Sequence, residues 1–137
     1  MEQANFRVPR IAAQDALARL RRGEPVVFVD ARREVEWRGA FEKLPGAVRL
    51  APDGADETLP IIRRGETAVV YCTCPFEASS VAAADYLRAH GYQSVYVLFG
   101  GLPAWHLAQG PLEPARALRS MVDARVLEPR RRAASRI

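Results

Sequence analysis

The chain has 137 residues, enough for one domain with a hydrophobic core and too few for two of ordinary size. Hydrophobic residues make up 49% and charged residues 26%, a globular balance that excludes a disordered or fibrous chain. The net charge of +4 belongs to the C-terminal end: residues 1–114 hold 13 basic against 14 acidic side chains, and residues 115–137 hold 7 arginines against Asp123 and Glu128. The domain therefore lacks the basic stripe of a nucleic-acid-binding surface.

In chain order, Ala13, Ala16, Leu17 and Leu20 recur at helical spacing and predict an amphipathic helix over 13–22, stopped by Gly23. Val26, Val27, Phe28 and Val29 form a β-branched and aromatic run ending at Asp30, as in a strand buried on both faces. Arg33–Arg38 reads as a short helix around Val35 and Trp37, Leu44-Pro45-Gly46 as a turn, and Val48–Leu50 as a brief strand. Asp56–Arg64 is a weak helix interrupted by Pro60, and Gly65 precedes a strong strand over Ala68–Cys72. A loop leads to a helix over Ser80–Arg88, with Ala83, Ala84 and Leu87 on one face, and then to a strand over Ser94–Leu98. Gly100-Gly101 reads as a tight turn into a last helix over Leu102–Gln109, ended by Gly110 and Pro111. Trp37 and Trp105 are expected to pack in the core.

Strands alternating with helices imply crossover connections and a parallel sheet covered on both faces. The expected fold class is α/β, a three-layer α/β/α sandwich with a central, mainly parallel sheet. The domain is expected to span residues 8–114. Residues 115–137 read as a basic extension, helical where Leu118, Met121, Val122 and Leu127 form an apolar stripe and flexible beyond.

The longest uncharged apolar runs, such as Ala68–Cys74, fall far short of the roughly 20 residues needed to cross a bilayer. Met1–Arg10 holds no apolar stretch of signal-peptide length, so a cytoplasmic location without a membrane partner is expected. Cys72 and Cys74, two positions apart, cannot close the long loops of a disulfide scaffold. His90 and His106 share no ligand-like spacing with them, which argues against a metal site.

In open parallel sheets, ligands bind beyond the carboxyl ends of strands, where loops and helix starts expose N–H groups. The segment from Thr73 to Ser79 is such a place. Cys74 stands in it as the candidate nucleophile, while Cys72 belongs to the strand as a small core residue. The backbone of Cys74, Pro75, Phe76, Glu77, Ala78 and Ser79, followed by Ser80 at the helix start, can surround the Cys74 sulfur with N–H groups, Pro75 contributing none. With the positive end of the helix nearby, the thiol should ionise below the usual ~8.5.

Asp30-Ala31-Arg32, Leu44-Pro45-Gly46-Ala47, the tyrosine-containing strand before the loop, Gly91-Tyr92 and Gly100-Gly101-Leu102-Pro103-Ala104-Trp105 come in an order that resembles the rhodanese-like (sulfurtransferase) superfamily over about residues 10–114. The resemblance implies a persulfide carried on Cys74, with Ser80 at the helix-opening Ser or Thr. It implies no cofactor, and as partners a small sulfur-containing donor and a thiol or protein acceptor. Asp30 and Arg32 are then supporting residues, read here as a structural pair near the site.

The loop departs from the commonest pattern of that family at Glu77 and Ser79, where Gly and Arg are usual. Losing the Arg removes a charge-assisted donor, and Glu77 adds a carboxylate that repels an anionic donor if it faces the ligand, thiosulfate most of all. The other reading, of equal weight, has Glu77 turn outward and cap the following helix. The alternative from another class is a non-catalytic binding module on the same fold. A phosphatase or arsenate reductase needs an arginine between Cys74 and Ser80, where none stands, and a Cys72–Cys74 dithiol bridge would be strained.

Overall fold

The computed structural model describes residues 8–52, 62–73 and 77–115. In chain order the elements are β1 (Arg10–Ile11), α1 (Ala13–Arg21), β2 (Val26–Asp30), α2 (Glu34–Arg38), β3 (Glu42–Lys43), β4 (Val48–Arg49), β5 (Thr67–Tyr71), α3 (Ala78–Ala89), β6 (Val95–Leu98), α4 (Gly101–Leu107) and β7 (Glu113–Pro114). The apolar runs that predict strands form the middle of a five-stranded sheet of order β1-β6-β5-β2-β4. Every pairing in it is parallel, so all five carboxyl ends lie along one edge.

Alternate side chains of those strands point to opposite faces, which divides the core in two. On one face Phe28, Val69, Tyr71 and Leu98 pack with Ala16 and Leu17 of α1 and with Trp105 of α4. The rings of Phe28 and Trp105 meet edge to face with centroids 5.2 Å apart. On the other face Val27, Val29, Ala68, Val70, Val95 and Val97 pack with Ala83, Ala84 and Leu87 of α3. At about 1.5–3 kcal/mol for each fully buried large aliphatic or aromatic side chain, these two layers hold the helices to the sheet. This is the three-layer α/β sandwich that the sequence leads one to expect. Among the described residues, no helix is long and apolar enough to cross a membrane.

Several boundaries differ from the sequence reading. The segment 10–11 is an edge strand, made by pairing with β6, and residues 42–43 and 113–114 form a small antiparallel ribbon. Two-residue strands have no periodicity to read and exist because a partner strand supplies their hydrogen bonds. Residues 56–61 of the expected weak helix, and residues 116–137 with the apolar stripe and arginine run, lie outside the described residues, and residues 62–64, the described end of that helix, are not helical. Trp37 is only half-buried, because α2 buries none of its residues. It stacks instead beneath Arg49, whose guanidinium carbon lies 4.6 Å from the ring centroid.

Gly110 closes the turn after α4 against the face of the buried Trp105, whose indole Nε1 donates to the Pro111 carbonyl at 2.9 Å. A Cβ at position 110 would stand 2.1 Å from Trp105 Cε2. Gly110→Ala therefore forces the indole or the turn to move, and a loss of about 1–3 kcal/mol is expected from overpacking. Urea unfolding followed by tryptophan fluorescence measures it.

Candidate active site

The carboxyl edge of the sheet gathers most of the residues singled out in the sequence. At the end of β2, Asp30 and Arg32 are both buried and form a two-pronged ion pair: Arg32 Nε donates to Asp30 Oδ1 at 2.9 Å and Arg32 Nη2 to Oδ2 at 2.6 Å. The Arg32 backbone N–H also donates to Oδ1 at 3.1 Å, and Nη2 reaches the Glu42 carbonyl of β3 at 3.0 Å. Burial works against the Arg32 charge, but the hydrogen bonds and charge of Asp30 more than offset it, and the guanidinium is held above its ordinary pKa. Tyr71, beside Asp30 in register, accepts the Leu44 N–H on its hydroxyl at 3.3 Å. Burial first and the Asp30 charge second push that hydroxyl well up, so it stays protonated. The pair thus fastens β2 to the ribbon strand β3, and Tyr71 fastens β5 to the Leu44 turn.

One residue here was not singled out from sequence. Arg49, at the end of β4, donates through Nη1 to the carbonyls of Asp30, at 3.2 Å, and of Arg32. Its signal was absent because a single arginine on a two-residue strand acquires meaning only from the register that sets it beside Asp30.

Strand β5 ends at Tyr71. The next residue, Cys72, is buried, and its carbonyl accepts the Leu102 N–H from α4 at 2.9 Å. Its thiol approaches Ser80 Oγ at 3.5 Å, and that hydroxyl donates to the Glu77 carbonyl at 3.1 Å. Ser80 is fully buried, so it serves as an internal tie between the end of β5 and the start of α3. Cys74, Pro75 and Phe76 lie outside the described residues. Ala78 and Ser79, read from sequence as part of the loop, belong to the first turn of α3, which leaves residues 73–77 as the connection. The helix begins earlier because Ala78 and Ser79 are compatible with helical backbone and Glu77 supplies the turn into it.

Glu77 is where the structure and the sequence reading part most clearly. Its backbone is left-handed, with φ 67° and ψ 13°, a conformation that a residue with a side chain adopts at a cost of about 1–2 kcal/mol. The side chain is 5% exposed. Its carboxylate makes no cap to α3. Instead Oε1 accepts from Arg10 Nε of β1 at 2.6 Å, and Oε2 accepts the Gly100 N–H at the start of α4 at 2.9 Å. Gly100 can present that N–H because it takes a φ of 78°, and a Cβ there would stand 2.9 Å from the Ala104 Cβ. The carboxylate therefore joins β1, the β6–α4 turn and the start of α3. Its charge is matched by Arg10, which removes the uncompensated repulsion expected from sequence.

Residues 12–108 match the family model for the rhodanese-like domain. Among solved structures, the chain is 25% identical to a Rhodopseudomonas palustris protein of unknown function named as a possible tyrosine phosphatase, with a TM-score of 0.63 over 82% of this chain and 99% of that one. It is 28% identical to a rhodanese-like domain from Anabaena, with a TM-score of 0.60 over 78% of this chain and 80% of that one. A rhodanese-like domain protein from Staphylococcus aureus shares the fold at 24% identity, with a TM-score of 0.59 over 72% and 91% of the two chains.

With its counter-ion in place, Glu77 is expected to act on stability rather than on donor charge. Glu77→Gln should lower the unfolding midpoint, by an amount equivalent to about 1–3 kcal/mol for a hydrogen bond to a charged group, reduced because Arg10 is half exposed. The ratio of sulfur-loading rates with thiosulfate and with a less charged persulfide should stay as in wild type. Paired denaturant and rate measurements check both, and a selective gain with thiosulfate would show that the carboxylate faces the donor.

Proposed function

The chain belongs to the rhodanese-like domain family, within the sulfurtransferase superfamily, and from that premise we propose that it carries sulfane sulfur as a persulfide on Cys74. The observation that carries the reading is positional: Cys74 lies inside the matched span, two residues after the end of buried Cys72 and four before the first residue of α3. A helix start leaves N–H groups without intrahelical partners and carries partial positive charge. A thiolate preceding it is therefore favoured over the thiol, and a persulfide anion is favoured in the same way. In the proposal the backbone of Pro75, Phe76, Glu77, Ala78, Ser79 and Ser80 surrounds the sulfur, the side chains of Glu77 and Ser80 hold the start of α3 in place, and Asp30 and Arg32 support the neighbouring strand end.

In the proposed cycle the Cys74 thiolate attacks the outer sulfur of a donor, the donor's bond to that sulfur breaks, and its electron pair leaves with the donor remnant. A thiol or other nucleophile then takes the sulfur from Cys74 and restores the thiolate. The catalytic unit is proposed to run from residue 8 to residue 114, with residues 115–137 as a basic extension. The binding-module alternative drew its support from Glu77 and Ser79. The pairing of Glu77 with Arg10 withdraws half of that support. Phosphatase chemistry, suggested by the name of the Rhodopseudomonas palustris relative, is disfavoured because no arginine stands between Cys74 and Ser80 to hold a tetrahedral anion.

Intact mass spectrometry after incubation with thiosulfate or glutathione persulfide tests the proposal. The wild-type protein should gain one sulfur, Cys74→Ser should gain none with any donor, and Cys72→Ser should retain most of the gain. Loading of the Cys74→Ser protein on Cys72 at a rate near wild type contradicts it.

A further inference from the structure

Between α1 and Tyr96 of β6 lies an open cleft of about 400 Å³, whose charged lining residues are Arg10, Asp15, Arg19 and Arg22. That is room enough for a small molecule. Asp15, Arg19 and Arg22 follow one another along the side of α1 opposite the buried Ala13, Ala16 and Leu17. Each guanidinium meets an acid through its Nε: Arg10 with Glu77 at 2.6 Å, Arg22 with Glu24 at 2.8 Å and Arg19 with Glu24 at 4.0 Å. The Nη groups of all three make no hydrogen bond among the described residues. Arg19 is also steadied by Tyr96, its guanidinium carbon 5.4 Å from the ring centroid. The single carboxylate of Glu24 thus serves two arginines and leaves one positive charge over. Asp15 is exposed, and among the described residues its carboxylate makes no hydrogen bond or ion pair. Arg19 stands one helical turn on, the spacing at which such pairs commonly form, yet it turns to Tyr96 and Glu24 instead.

We propose that this cleft binds a free α-amino acid as its zwitterion, the ammonium against Asp15 and the carboxylate across the Nη edge of Arg19. Residues four apart on a helix have Cβ atoms about 5–6 Å from each other. An acid and a guanidinium that are neighbours without touching can therefore bracket a ligand whose two charges sit on one carbon. A simple anion would meet Asp15 as a repulsive neighbour, and a simple cation would meet the excess of arginine, so the zwitterion is the class that answers both. The side-chain charges run against the dipole of α1 but outweigh it, at a full charge each against about half a charge at a helix end. Arg10 closes the cleft on the β1 side with its own charge balanced by the buried Glu77. Binding here requires no chemistry at Cys74.

The test titrates the full chain with three compounds of nearly one size and follows the amide NMR shifts of Ala12, Asp15, Ala18 and Tyr96. L-Alanine carries both charges, propionate lacks the ammonium, and L-alaninamide lacks the carboxylate. L-Alanine should give saturable shifts with a Kd of about 1–10 mM, within reach of so small a ligand. Propionate and L-alaninamide should each bind about fivefold more weakly, the size of one ion pair open to water, and both differences should shrink in high salt. Asp15→Asn should abolish the preference over propionate and keep the preference over L-alaninamide. Arg19→Gln should do the reverse. The preference that each variant keeps shows that its cleft is intact, and both substitutions lie on the side of α1 away from the core. An absence of saturable shifts in wild type, equal binding of the three compounds, or preferences that do not separate between the two variants would overturn the proposal.

Discussion

The ion pair between Asp30 and Arg32 is the constraint on which the carboxyl edge of the sheet depends. Both residues are buried, and a buried charge persists only when paired and hydrogen-bonded. Asp30 meets that condition by taking two guanidinium donors and one backbone N–H, and Arg32 by reaching the Glu42 carbonyl as well. Removing Asp30 would leave the buried Arg32 charge without its counter-ion, at a cost of about 3–5 kcal/mol. The interactions that follow from the pair are structural ones: β3 is drawn to the end of β2, Arg49 is fixed over Trp37, and Tyr71 is kept neutral against the Leu44 turn.

A second buried charge acts on the same edge of the sheet. Glu77 holds a left-handed backbone at the entrance to α3, and its carboxylate reaches Arg10 of β1 and Gly100 of the β6–α4 turn. The start of α3 is thereby joined to β1 and α4, while Ser80 joins it to Cys72 at the end of β5. A helix start whose position is set from three directions gives a fixed field for whatever precedes it, and a thiolate benefits from a field that does not have to reorganise when the sulfur arrives or leaves.

How far the sequence discloses this can be followed residue by residue. Val26–Asp30 and Ala68–Tyr71 are legible because a strand buried on both faces must be continuously apolar, and α1 and α3 because their buried positions recur with the helical period. Gly100 and Gly101 are legible as a turn, and both take positive φ. Of the two-residue strands, β4 is legible in the brief run Val48–Leu50, but β1, β3 and β7 are not, since Arg10–Ile11 becomes a strand only when β6 lies alongside. The same holds for side chains. The bond from Glu77 spans 67 positions to Arg10, and Arg49 joins Asp30 through strand register, so no local pattern in the sequence points to either. Cys74 is legible as a candidate from its place between a strand and a helix, and what surrounds it is the part that tertiary structure decides.

The claim that unites the fold with the proposed activity is that the start of α3 stabilises a thiolate on Cys74. The pH dependence of iodoacetamide alkylation in a Cys72→Ser protein, where Cys74 is the sole thiol, measures it directly. A midpoint well below the ordinary thiol value of ~8.5, rising toward that value when the protein is unfolded in urea, is the predicted result. A midpoint at or above ~8.5 in the folded protein would contradict it, because the helix start would then supply no stabilisation to the sulfur.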